Sequence, residues 1–301
     1  MQVQIGDRTF DVGGKYFTAE LRDSRECLDD VAALQARMAE DGYLFIRGLH
    51  DRDQVLAARK EILEKLAANG KLDPSAPLDD ALPNPTSSEP PSGSVRGKEH
   101  LKDGPELKAL IEGPPVMGFF DRYFGKPALT FDFKWLRVVG PGISSTMHYD
   151  IVYMGRGTKN LYTGWTPLGD VPLDLGPVVI CLGSHRFEKI KATYGQMDVD
   201  RDLIQGWFSN DPAEMVDTFG GRWAGTDFQA GDVLIMSMFL MHASITNATN
   251  RLRLSVDTRY QPADEPVDDR WVGSVPKTHT EYWKPDAQLE PLEQSREKWG
   301  V

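Results

Sequence analysis

The stretch SSTMHYDIVYM at 144–154 follows a Gly-Pro-Gly bend at 140–142 and is rich in residues that favour β structure. Read as a strand, it projects side chains i and i+2 from one face, so His148 and Asp150 point together and Tyr149 points away. Two readings are open at this point: a metal clamp, or a polar pair on a face turned to water.

Outward from this stretch, the runs 129–139, 160–166, 177–182, 232–244 and 251–260 are also short, apolar or alternating, and bounded by turn residues. Strands at this spacing with no helices between them point to a sandwich or barrel, not to a parallel α/β sheet. The expected class is mainly β with flanking helices, and a jelly roll is the leading architecture. On the amino-terminal side, Leu28, Val31, Leu34 and Met38 recur at helical spacing from Cys27 to Asp41, and Gly42 ends the run. GYLFIRGL at 42–49 is a strand, and Asp51 with Gln54 resembles a capping box that opens a helix to about Asn69. A further helix is expected over Glu106–Tyr123.

Between these elements lie two long excursions. Residues 74–105 are thick in Pro, Ser, Gly and Asp and read as a loop, either a lid or a surface excursion. Residues 186–226 form an insertion with Trp207, Phe208 and Trp223, long enough for a second flap. The whole of 1–301 is taken as one domain, with helices over about 28–69, a β-barrel core over about 129–261 and a tail over 262–301.

A net charge of −11 and a pI near 5.1 argue against a basic face for nucleic acid. No apolar run reaches membrane-spanning length and no leader pattern opens the chain, so a soluble protein with no membrane partner is expected. Cys27 and Cys181 are far apart and follow no metal or redox spacing, which fits reduced thiols in the cytoplasm.

The histidines can be weighed one by one. His50, His100 and His279 have charged or polar neighbours and are expected at the surface; His185 ends a strand at a turn and reads as structural. His148 and His242 remain, the second near the end of the apolar run GDVLIMSMFLMHAS with Ser244 as its next same-face neighbour. Two imidazoles and a carboxylate form the facial triad that suits Fe(II) and leaves adjacent positions open. The next strand, RLRLSVDTR at 251–259, puts Arg251, Arg253, Ser255, Asp257 and Arg259 on one face and Leu252, Leu254 and Val256 on the other. If the polar face lines a barrel, an arginine there can fork onto a carboxylate.

Taken in order, HYD at 148–150, GWTPLGD at 164–170, LGPVVICLGSHR, AGDVLIM, His242 and Arg253 eleven residues later resemble the phytanoyl-CoA dioxygenase family. GYLFIRGLHDRDQVLAARKEI resembles that family's opening strand and helix, so the likeness covers about 28–261. It implies a double-stranded β-helix, the cupin-like jelly roll, and an Fe(II)- and 2-oxoglutarate-dependent dioxygenase. His148, Asp150 and His242 would then hold iron, Arg253 would take the distal carboxylate of 2-oxoglutarate, and Ser244 and Ser255 would lie near that carboxylate. The carboxylate of Asp150 disfavours halogenation, which in relatives needs a small residue there.

The implied reaction consumes O2 and 2-oxoglutarate, releases succinate and carbon dioxide, and oxidises a small metabolite or natural-product intermediate, by default through hydroxylation. Arg137 and Arg259 are candidates to meet an anionic group, and Tyr153, Met154, Trp165 and Trp207 to line a pocket. Replacing His148 or Asp150 by alanine is expected to remove the metal and spare the fold. Two other readings stand beside this one: a metal-dependent β-barrel isomerase or 2-oxoglutarate-independent dioxygenase, which would not need Arg253, and a non-catalytic jelly-roll binding protein.

Overall fold

The computed structural model describes residues 1–87 and 101–301. An amino-terminal hairpin, β1 (Gln2–Ile5) and β2 (Arg8–Asp11), is followed by the two-residue strand β3 (Phe17–Thr18), helix α1 (Val31–Asp41), strand β4 (Tyr43–Ile46) and helix α2 (Arg52–Ala68). Then come α3 (Pro105–Glu112), α4 (Pro114–Phe124), β5 (Ala128–Thr130), β6 (Trp135–Val139), a single turn α5 (Ile151–Met154), β7 (Tyr162–Pro167) and β8 (Val178–Leu182). The rest comprises α6 (Glu188–Ala192), α7 (Val199–Asp202), α8 (Glu214–Asp217), β9 (Arg222–Ala224), β10 (Val233–Ser237), β11 (His242–Ser244), β12 (Arg253–Pro262) and α9 (Leu292–Trp299).

The helix signals act as expected. Asp30 and Asp51 each accept a hydrogen bond from the backbone N–H three residues on, which satisfies donors that the first helical turn leaves unpaired. Gly42 closes α1 at φ +79°, and an added Cβ there would come within 2.5 Å of the His185 imidazole, so glycine is required twice over. The single helix expected over 106–123 is two, because Gly113-Pro114-Pro115 interrupts the ladder and Pro114 restarts it as α4.

Two sheets face each other as a jelly roll. The larger runs β4-β10-β7-β12, with β5 and β6 both on the free edge of β12, and the smaller runs β11-β8-β9-β3. All neighbours are antiparallel except β3 and β9. Alternation sorts the side chains. Leu44, Ile46, Val233 and Ile235 pack outward against α1 and α4, while Tyr43, Phe45, Leu234, Met236 and Trp165 pack inward. On β6 and β12 the apolar set Leu136, Val138, Leu254 and Val256 packs outward under α2 and α3. Arg137, Arg253 and Asp257 are thereby turned into the barrel, where they line a cavity. Arg251 lies before β12 and is exposed.

Several expectations are corrected. Residues 146–154 are not a strand: Met147 and His148 make isolated β-bridges and Ile151–Met154 form one helical turn. The Ile151 N–H donates to Met238 O, and those of Tyr153 and Met154 return to Asp150 O, which closes a helical turn instead of a ladder. The insertion at 186–226 is no flap: Phe208 and Trp223 are fully buried, and β9 completes the smaller sheet.

The stretch 262–301 is no loose tail, since Arg270, Trp271, Leu292 and Trp299 are buried. It brings His279 inside, where Nδ1 lies 2.8 Å from Asp200 Oδ2 and the rings of Trp271 and Trp283 stand 4.8 Å away. Much of the loop expected over 74–105, and His100 with it, lies outside the described residues; 72–83 is pinned by a Leu72–Pro83 bridge. Among the described residues no helix is long and apolar enough to cross a membrane.

His50, expected at the surface, is also buried, because the turn after β4 packs against the Gly231 turn that leads into β10 and the His50 N–H donates to Gly231 O. Its polar neighbours belong to the outward start of α2, so local polarity misread its exposure. Burial lowers its pKa from 6.5 to about 4, which leaves the folded ring neutral where the unfolded one would be charged. The unfolded chain thus binds the extra proton, and stability should fall by about 3 kcal/mol as pH drops from roughly 6.5 to 4. Denaturant melts over this range should show that slope in the wild type and a flatter one in His50→Gln; equal slopes would contradict it.

Candidate active site

One end of the barrel gathers the candidate residues. His148 and His242 lie directly opposite in an antiparallel bridge, each N–H donating to the other's carbonyl at 3.0 and 3.1 Å. Their rings stand 4.3 Å apart between centroids. Asp150 follows at αR backbone angles and returns its carboxylate beneath them, with Oδ1 3.7 Å from His148 Nε2 and 3.8 Å from His242 Nε2. The ligand atoms of the three residues all lie within 4.8 Å of one another, and no other such group occurs among the described residues. A bridge and a helical turn, not a continuous strand, bring His148 and Asp150 together. Tyr149 points away as expected, its hydroxyl donating to Ser184 O at 2.6 Å in the core.

The donor set fits a cation such as ferrous iron. His148 Nδ1 lies 2.8 Å from Thr146 O and His242 Nδ1 lies 3.0 Å from Leu240 O. A carbonyl can only accept, so each Nδ1 carries the proton and each Nε2 offers its lone pair to the space shared with Asp150. Burial, with His242 beside it, lowers the pKa of His148 to about 3, so its ring stays uncharged at neutral pH. Burial works in the opposite sense on Asp150, but Arg259, the two imidazoles and the Thr163 hydroxyl outweigh it and hold the carboxyl well below its usual range. The result is two imidazole nitrogens and one anionic oxygen, a facial donor set that suits Fe(II).

The cavity beside the triad is lined by Arg137, Val139, Ile143, Trp165, Ser244, Arg253 and Asp257 among others. Arg253 is buried. Its Nη1 donates to Ser255 Oγ, its guanidinium carbon lies 6.0 Å from the Trp165 ring centroid, and its Nε has no partner among the described residues. Burial lowers its pKa to about 10 against the opposing pull of Asp257, so it is still a cation at neutral pH. Ser255 thus orients Arg253 from below. Ser244 lines the cavity, and its Oγ accepts from the Ser145 N–H at 2.7 Å.

Arg137 and Arg259, candidates to meet an anionic group, each meet a carboxylate of the chain itself. Arg137 grips Asp257 Oδ2 through Nε and Nη2 at 3.0 and 2.7 Å. Arg259 Nη2 donates to both oxygens of Asp150, at 3.1 and 3.2 Å. Thr163, which the sequence reading did not single out, donates to Asp150 Oδ2. No sequence pattern marks it, because only the pairing of β7 with β12 carries it to the triad. Of the other pocket candidates, Trp165 lines the cavity, Tyr153 meets His148 edge-on at 5.3 Å, and Met154 lies beneath Arg259. Trp207 instead bonds Asn210, within the 186–226 segment.

A family model described as phytanoyl-CoA dioxygenase (PhyH) matches residues 38–255. The chain belongs to this family. It is accordingly an Fe(II)- and 2-oxoglutarate-dependent dioxygenase, using O2, on a cupin-like jelly roll. Similar curated proteins include two named 1-deoxypentalenic acid 11-beta-hydroxylase. That from Streptomyces exfoliatus is 28% identical over 260 residues, covering 82% of this chain and 87% of the relative. That from Streptomyces arenae is 27% identical, covering 81% and 86%. A solved structure with the same fold is SnoK, a non-heme alpha-ketoglutarate dependent carbocyclase from nogalamycin biosynthesis, with TM-score 0.55 and 21% identity over 89% of this chain and 94% of that one.

The engagement of Arg259 changes one expectation from the sequence. Removing the Asp150 carboxylate would strand a buried guanidinium, so Asp150→Ala should lose about 3–5 kcal/mol of stability as well as the metal. His148→Ala should lose metal affinity by more than about a hundredfold, beyond what supporting partners supply, with much less effect on the fold. Calorimetric titration with Fe(II) under anaerobic conditions, beside thermal melts of the metal-free proteins, checks both; His148→Ala binding iron like the wild type would refute the ligand assignment.

Proposed function

We propose that His148, Asp150 and His242 hold the Fe(II) of this dioxygenase, and that Arg253 receives the distal carboxylate of 2-oxoglutarate. The observation that carries this reading is the contrast among the arginines turned into the barrel: Arg137 and Arg259 are each engaged by a carboxylate, whereas Arg253 has only the Ser255 hydroxyl. A buried cation without an anion is costly, and a dicarboxylate cosubstrate supplies one. Ser255 fixes the guanidinium, and Ser244, on β11 of the facing sheet, offers a polar edge to the same cavity.

When bound, the iron supplies the redox chemistry that couples decarboxylation of 2-oxoglutarate with O2 to oxidation of the substrate. The chain contributes the rest. His148 and His242 keep Nε2 free by donating through Nδ1 to Thr146 O and Leu240 O. Arg253 orients the cosubstrate, and the apolar walls formed by Val139, Ile143, Trp165, Val178 and Met236 exclude water and seat an organic substrate.

By analogy with the relatives named as hydroxylases of 1-deoxypentalenic acid, the substrate is a small natural-product intermediate and the outcome is hydroxylation. We place this activity in the cytoplasm, with no nucleic-acid or membrane partner. The acidic total charge, −11, supports the absence of a nucleic-acid surface.

Succinate release from 2-oxoglutarate, followed with and without Fe(II), tests the reading. Turnover should require the metal and should rise with an accepted substrate. Losing one charged hydrogen-bond partner costs about 1.5–3 kcal/mol, so Arg253→Ala should raise the KM for 2-oxoglutarate about ten- to a hundredfold while shifting Fe(II) affinity far less. An unaltered KM in that variant would overturn the role of Arg253, and iron-dependent oxidation that ignores 2-oxoglutarate would overturn the cosubstrate site.

A further inference from the structure

We propose that Arg259 and Thr163 are positioning residues that restrict Asp150 to a single metal-binding oxygen. This rests on the ligand assignment above and concerns how the carboxylate is held. An ionised carboxylate has about four lone-pair sites on its two oxygens. On Asp150, Oδ2 accepts from both the Thr163 hydroxyl and Arg259 Nη2, which fills its capacity. Oδ1 accepts once from Arg259 Nη2, at 3.1 Å, and its remaining side faces the two Nε2 atoms at 3.7 and 3.8 Å. One lone pair is left for a cation.

The clamp is itself immobile. Arg259 is fully buried, its Nε donates to Met154 Sδ at 3.0 Å, its guanidinium carbon lies 4.2 Å from the centroid of the Trp135 ring, and its Nη1 is 3.9 Å from Asp257 Oδ2. Thr163 is held on β7, paired with Arg259 itself across the sheet. The two partners that direct Asp150 are thus register neighbours, so the β7–β12 pairing sets the carboxylate's orientation. Nη2 alone bridges both oxygens of Asp150, and the guanidinium that carries it is held at Nε by Met154 Sδ and over the Trp135 ring, a second anchorage that a lysine ammonium lacks.

The consequence concerns vacant positions. If each of the three residues gave a bound ion one atom, the other positions would stay open to the cosubstrate and O2. A carboxylate that swung to bind through both oxygens would take one of them. In this protein the carboxylate cannot swing without breaking bonds to Arg259 and Thr163.

The test uses Mn(II) as the probe, with affinity from calorimetry and bound waters counted from line broadening in 17O-enriched water by electron paramagnetic resonance. Wild type should hold Mn(II) with about three waters, and His148→Ala should lose the ion. Thr163→Val, nearly isosteric and therefore expected to fold, should bind Mn(II) about tenfold more weakly with about two waters, and Arg259→Lys should lose ten- to a hundredfold. Thr163→Ser, which keeps the hydroxyl, should restore both values. A folded Thr163→Val with wild-type affinity and three waters would overturn the clamp while leaving the ligand assignment intact. Wild type that fails to bind Mn(II), or binds it unchanged in His148→Ala, would overturn the assignment on which the clamp rests.

Discussion

Two backbone hydrogen bonds exchanged between His148 and His242 hold the candidate site together. They join a non-strand segment to the end of the smaller sheet and bring two imidazoles from distant parts of the chain side by side. The joint is reinforced along its length. The Gly142 N–H donates to Asn247 O, the Asn247 N–H returns to Ile143 O, and the Ser145 N–H donates to Ser244 Oγ. Asn247 Nδ2 also donates to Val139 O and Arg251 O, tying the same joint to the ends of β6 and β12. Every backbone donor in such a segment must find an acceptor once buried, and here those acceptors also specify where the two imidazoles stand.

The second constraint is electrostatic. Arg137, Arg253, Arg259, Asp150 and Asp257 are brought into the same low-dielectric interior, where an unpaired charge is expensive. Pairing resolves most of the cost: Asp257 meets Arg137 and Asp150 meets Arg259. The cation left over is Arg253, which has no carboxylate partner and lines the cavity. Charge imbalance inside the barrel is therefore confined to the point where a ligand can compensate it.

Support reaches well beyond the barrel. Tyr153, whose ring meets His148, also meets His279 and Tyr282, and His279 bonds Asp200 within a buried set that includes Arg270 and Asp268. The carboxy-terminal stretch thus backs the residues that carry the triad. It also meets α5 directly, since Arg270 Nη2 donates to Tyr153 O at 3.0 Å, and the turn of α5 starts from the carbonyl of Asp150.

Much of the fold was legible along the chain, because period-two and period-3.6 patterns are local and the caps at Asp30, Asp51 and Gly42 act within a few residues. The alternation of RLRLSVDTR correctly separated an apolar outer face from a charged inner one. The metal-ligand candidates were legible for a different reason: few residue types bind metals, and HYD, His242 and Arg253 recur in a recognisable order. The burial of His50 and His279 was not legible, since their neighbours in sequence are polar and their neighbours in space come from elsewhere. Nor were the assignments of Arg137 and Arg259 to Asp257 and Asp150. Sequence by itself determined which chemical groups the barrel would contain; tertiary structure alone decided which of them neutralise one another, because pairing depends on distances set by sheet register between segments more than a hundred residues apart.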